Sequence, residues 1–236
     1  MEIIKRISLM LCIAIFAVAC SAPSSSNEEQ AQNEASTSEE QPKKTPQEPK
    51  TLAGYQVGDI AEDFELKNVD GNMVSMASME EAKGCVLVFT CNKCPYSVAY
   101  EDRLIELDKK YKELGYPMVA INPNDPDVVP EDSYEAMVVR SEEKGFTFPY
   151  LFDDGQKVYP KYGAIKTPHV YVIQKTEAGN KVAYIGAIDD SKDAEEVQVK
   201  YLENALDALI SGKKPDPSLT KAFGCSIKCK KEEKNI

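Results

Sequence analysis

The chain has 236 residues, with 28 Lys and Arg against 39 Asp and Glu, and a formal net charge of −11. Such an acidic balance, with no basic patch beyond a short Lys-rich tail, excludes nucleic acid and anionic lipid headgroups as electrostatic partners. Seven cysteines are present, and where each one falls along the chain decides what it can do.

Residues 1–19 carry Lys5 and Arg6, then an apolar run from Ile7 to Phe16 closed by small residues. This is the pattern of an export signal. Ala17-Val18-Ala19-Cys20 resembles a lipoprotein processing site, with Cys20 as the lipidated first residue of the mature chain. An ordinary cleaved signal is the alternative. The run is shorter than the roughly 20 residues a spanning helix needs. Residues 21–50 contain no Val, Ile, Leu, Met or aromatic residue. They cannot build a core, and residues 20–51 are expected to form a disordered tether, with an r.m.s. span on the order of 30 Å. Residues 52–236 are enough for one domain. Export places its five cysteines (Cys85, Cys91, Cys94, Cys225 and Cys229) where disulfides persist.

Within the domain, 64–76 reads as two short strands around Asp70-Gly71, a hairpin signal. Residues 77–83 suggest a helical turn. The run CVLVFT at 85–90 is continuously apolar, as a strand buried on both faces should be. From Pro95 to Gly115 the pattern is helical, with Leu104, Leu107, Tyr111 and Leu114 on one face. A second buried strand is expected at 117–122, a loop after it, and a helix at 133–145 with a Gly stop. A short strand at 148–154 and a short helix at 155–163, interrupted by Pro160, follow. Strands at 169–174 and 181–188, turning at Ala178-Gly179-Asn180, precede a last helix at 197–212. This order predicts an α/β fold with a central mixed sheet and helices on both faces.

Cys91 and Cys94 stand two residues apart between the buried strand and a helix start. This arrangement, with Lys166-Thr167-Pro168 directly before the strand HVYVIQ, resembles the thioredoxin fold. The segments FTCNKCPY, YEDRLIELDKKY, AINPNDPD, PEDSYEAM, GFTFPYLFDD, TPHVYVI and FGCSIK resemble the peroxiredoxin-like AhpC/TSA, or redoxin, branch of that superfamily, from about Val57 to Lys228. The resemblance implies a cis Pro168 packed against the cysteine pair, with the facing loop open to an extended substrate and Thr167 beside it. Two family features are missing. Peroxiredoxins proper carry a threonine three residues before the peroxidatic cysteine, where Val88 precedes Cys91. Thioredoxin has a buried acid on the strand before the cysteines, and CVLVFT contains none.

The chemistry expected is dithiol–disulfide exchange with protein thiols and an unidentified redox partner. It requires no cofactor or bound metal. Cys91 should face solvent as the attacking thiolate, favoured by the free N–H groups of the helix start and by the Lys93 cation. Cys94 resolves the mixed disulfide, with Pro95 beside it where a missing N–H costs nothing. His169 is read as a strand histidine, with proton donation as an alternative. Cys225 and Cys229 are candidates for a structural disulfide, free thiols, a relay to the Cys91–Cys94 pair, or half of a four-cysteine zinc site. Cys85 is read as buried and inert, and Tyr96, Tyr100 and Tyr111 as core and rim. The cluster Asp189, Asp190, Asp193, Glu195 and Glu196 is read as a solvated loop and helix start, with calcium binding as an alternative. The function expected is that of an extracytoplasmic, lipid-anchored thiol-disulfide oxidoreductase in the cell envelope. A thiol-dependent peroxidase and a copper-binding protein using Cys91, Cys94 and His169 are the alternatives.

Overall fold

The computed structural model describes residues 54–230. The expected export signal, Cys20 and the tether lie outside the described residues. No helix among the described residues is long and apolar enough to cross a membrane.

In chain order the elements are β1 (Ile60–Ala61), β2 (Glu65–Asn68), β3 (Met73–Ser75), β4 (Gly84–Phe89), α1 (Pro95–Lys112), β5 (Met118–Asn122), α2 (Tyr134–Lys144), β6 (Tyr150–Phe152), α3 (Tyr159–Tyr162), β7 (Lys166–Thr167), β8 (His169–Thr176), β9 (Gly179–Gly186), α4 (Tyr201–Ile210) and β10 (Cys225–Ser226). Eight strands form one mixed sheet in the order β1-β9-β8-β4-β5-β6-β2-β3. β4 is central, parallel to β5 and antiparallel to β8. All six of its residues are buried, which is why its sequence shows no polar alternation. The hairpin β2–β3 turns where Asp70-Gly71 predicts it.

Successive β4 side chains feed two cores. Val86 and Val88 point to the face covered by Tyr100, Leu104, Leu107 and Tyr111 of α1, Met137 of α2, and Leu202, Leu206 and Leu209 of α4. Burying each of these aliphatic side chains stabilises the fold by about 2 kcal/mol. Cys85, Leu87 and Phe89 point to the other face, where Phe64, Met76 and Tyr162 pack. The two faces are unequal, because the three long helices cover the first and only the single turn α3 reaches the second.

Several boundaries differ from the sequence pattern. α1 ends at Lys112, so Leu114 falls beyond it and is 39% exposed rather than on the buried face. Residues 77–83 make isolated turns. Pro160 lies in the first turn of α3 instead of interrupting a longer helix. α4 starts at Tyr201, and residues 197–200 lie outside any helix. α2 follows its signals: Ser133 caps its N-terminus, and Gly145 closes it at φ 64°. The short pair β7–β10, placing Cys225 opposite Thr167 and Ser226 opposite Lys166, has no sequence signature.

Candidate active site

Cys94 is the N-cap of α1 and Pro95 opens the helix, so the cysteines sit between the end of β4 and a helix start. Thr167–Pro168 is a cis peptide, and both residues are buried. Thr167 ties the cysteines to this loop. Cys91 Sγ lies 3.4 Å from Thr167 Oγ1, and Cys94 Sγ donates to the Thr167 carbonyl at 3.2 Å. Ser97 Oγ is 3.9 Å from Cys91 Sγ.

Two expectations fail here. Cys91 does not face solvent: it and Cys94 are each 4% exposed. The loop before Pro168 is not open either, because β10 pairs with it. The C-terminal segment, which no local pattern places, closes the loop and meets Cys94 through Cys225, while Cys91 lies against Thr167, Ser97 and Asp132. Ile185 hydrogen-bonds Ser218 and Thr220, the Phe223 ring meets Tyr96 edge-on, and the Lys228 N–H donates to Asn124 Oδ1 at 2.8 Å.

Lys93 is also placed differently. Its ammonium pairs with Glu131 at the surface. The charge acting on Cys91 is instead Asp132, fully buried in the turn before α2. Asp132 accepts from the Asn92 N–H at 2.7 Å and from Asn124 Nδ2 at 2.7 Å, and Tyr150 donates to Asn92 Oδ1 at 2.9 Å. Asn92, Asn124, Asp132 and Tyr150 were missed by sequence reasoning. Residues 123–132 look like an ordinary polar loop, and nothing local shows that Asp132 folds back against a residue 40 positions earlier.

The two sulfurs hydrogen-bond one another, so the pair titrates as a unit. One proton leaves below the ordinary thiol range and the second is held above it. The mutual hydrogen bond is the main cause in each case, with burial next. The Ser97 N–H and contacts from Cys225 favour the anion on Cys94, whereas Asp132 disfavours one on Cys91. The lowered sulfur is Cys94 and the raised one Cys91; Thr167 works against that split, because its carbonyl can only accept from a Cys94 thiol and its hydroxyl can donate to a Cys91 anion.

His169 is 3% exposed, its ring lies 4.9 Å from that of Tyr171, and its Nδ1 accepts from the Ile165 N–H at 3.4 Å. Burial pushes its pKa down to about 4, so it is neutral at pH 7 and placed as a packed strand histidine. Among the described residues no group of three or more His, Cys, Asp or Glu could hold a metal ion. Cys91, Cys94 and His169 therefore do not assemble a copper site, nor do the four cysteines assemble a zinc site. The five cysteines among the described residues are all free. Cys225 and Cys229 are not joined: Cys225 interacts with Cys94, and Cys229 with Tyr159. Cys85 is buried, which raises its thiol pKa to about 12. Asp189 departs from the solvated reading, being buried against Arg103 and Tyr100. Asp190 accepts from the N–H groups of Gln198 and Val199. These carboxylates fasten a loop.

A mixed sheet, with a dithiol at a helix start facing a cis-proline loop, defines a thioredoxin-like domain. The AhpC/TSA family matches residues 57–184, more than half of the chain, and the chain belongs to that family. It is similar to thiol-disulfide oxidoreductase ResA of Bacillus anthracis, 27% identical over 123 residues, which are 51% of this chain and 65% of that relative. The match thus covers less than two thirds of the relative's length. The crystal structure of an uncharacterised conserved protein from Geobacillus kaustophilus is 36% identical with a TM-score of 0.69, over 75% of this chain and 94% of the other. Peroxidoxin BcpB from Mycobacterium tuberculosis, 21% identical with a TM-score of 0.51 over 66% of this chain and 96% of the other, shares the fold.

Proposed function

We propose that the domain is a thiol-disulfide oxidoreductase that cycles Cys91 and Cys94 between dithiol and disulfide. We further propose that it works outside the cytoplasm, held to a membrane by lipid on Cys20. The observation that carries the first part is the shared Thr167 contact, which holds two free thiols together at a helix start. The signal-like residues 1–19 support the second part.

In the reductive direction, the Cys91 thiolate attacks one sulfur of a substrate protein disulfide and expels the other as thiolate. Cys94 then attacks Cys91 Sγ, and its proton leaves with the released substrate thiol. The substrate gains two electrons and the domain keeps a Cys91–Cys94 disulfide. A dithiol donor reverses that change. Val88, buried in the β4 core, offers no hydroxyl where peroxidase relatives carry threonine, so no observation favours peroxide chemistry.

Insulin reduction driven by dithiothreitol tests this assignment. Cys91→Ser and Cys94→Ser should each lower the rate at least about 100-fold, since either change removes one half of the exchange. A Cys91→Ser protein that matched the wild-type rate would refute it.

A further inference from the structure

Both cysteines of the proposed couple are only 4% exposed, and the strand edge beside them is taken by the chain's own β10. Gly224 makes that approach possible. Its φ is +144°, and a Cβ there would meet the Thr167 carbonyl oxygen at 2.2 Å and Pro168 Cδ at 3.3 Å. The next residue, Cys225, is half-buried and paired with Thr167, the residue whose carbonyl receives Cys94 Sγ. The Cys225 side chain and backbone both interact with Cys94. On the other side, Ile227 and Lys228 hydrogen-bond Ile165 and Asn124, so the segment is held at both ends of the contact.

We infer that Cys225 is a third redox-active thiol, which exchanges with the Cys91–Cys94 disulfide through Cys94 and brings that disulfide to a more accessible position. This rests on the dithiol reading above. Cys225 Sγ attacks Cys94 Sγ, the Cys94–Cys225 bond forms, and the Cys91–Cys94 bond breaks with its electron pair on Cys91. The proton lost by Cys225 ends on Cys91. No electrons are gained or lost in this step. The thiolate of a partner protein dithiol then attacks Cys225, expels Cys94 as thiolate, and closes its own disulfide by releasing Cys225. The partner is oxidised by two electrons, and the domain returns to three thiols. Cys229, exposed and set against Tyr159, takes no part and serves as an internal control.

The test uses the full chain, oxidised by glutathione disulfide, quenched with acid, alkylated, and mapped by mass spectrometry. In Cys91→Ser, an intramolecular Cys94–Cys225 disulfide should be the main product, at least about tenfold over any glutathione adduct on Cys94, because its effective concentration is higher. It should vanish in Cys91→Ser/Cys225→Ser. Accumulation of glutathionylated Cys94 with a free Cys225 would overturn the inference. The wild-type chain, titrated in glutathione buffers, provides a check that needs no variant. A Cys94–Cys225 disulfide trapped alongside Cys91–Cys94 supports the proposal. If Cys91–Cys94 forms and titrates while Cys225 stays free throughout, the relay is wrong and the dithiol reading stands. If Cys91–Cys94 never forms, both fall.

Discussion

A sulfur pair that has already lost one proton at neutral pH changes the proton count of its own reduction. Reducing the disulfide then takes up two electrons and one proton. The midpoint potential of Cys91–Cys94 should fall by about 30 mV per pH unit across the neutral range, half the slope of a couple that binds two protons. A redox titration at several pH values measures this, and a slope near 60 mV would mean that both thiols are protonated. His169 makes a separate contribution. Its folded pKa of about 4 lies below the ordinary 6.5, so the unfolded chain binds the proton more readily. The stability this gives is present above pH 6.5 and is lost as pH falls toward 4. Between pH 7 and pH 5 the wild type should lose about 2 kcal/mol more than His169→Gln, measured by urea unfolding. Equal losses would show that the imidazole is not held neutral.

At the scale of elements, α1 and α2 are joined through a buried charge. Arg140 Nε and Nη2 donate to the two Glu101 carboxylate oxygens at 2.7 Å each, and Glu101 is 4% exposed. Removing the guanidinium leaves that carboxylate buried, with Lys144 at 3.3 Å as partial compensation. Arg140→Ala should therefore cost about 2 kcal/mol by urea unfolding, less than the roughly 3–5 kcal/mol of breaking a buried pair outright, because Lys144 remains. A loss below about 0.5 kcal/mol, the level of an exposed pair, would show that Lys144 replaces the arginine. The same region sets the site. Ser133 caps α2, and the residue before it, Asp132, is thereby held against Asn92 and Asn124. Helix starts and their caps were legible in residues 133–145. That the turn before the helix carries a buried acid beside Cys91 was not, because the contact spans 40 residues.

For the whole molecule, the proposed lipid attachment at Cys20 is what would decide where the domain works. If Cys20 is lipidated, Cys20→Ala should move the protein from the membrane fraction to the soluble fraction without altering insulin reduction by the domain. Detergent extraction and fractionation of cells check this, and a variant still held in the membrane fraction would refute lipid attachment at Cys20. The acidic charge of −11 argues that anchoring does not rest on attraction to anionic headgroups.

What the sequence determined by itself is whatever local chemistry can specify. Six buried residues in a row make β4 a central strand, a Ser133 cap and a Gly145 stop bound α2, and Cys91, Cys94 and Pro95 mark a strand-to-helix junction. The pairing of that junction with Thr167–Pro168 was legible through family resemblance alone. Tertiary structure decided the rest. Lys93 turned to Glu131, Asp132 came to face Cys91, and the tail laid Cys225 beside Cys94. The cover over Cys94 has the same origin. Hydrophobic periodicity reports which face of an element is covered but not by what, and the cover here is a segment more than 120 residues away, docked through Gly224 and Phe223.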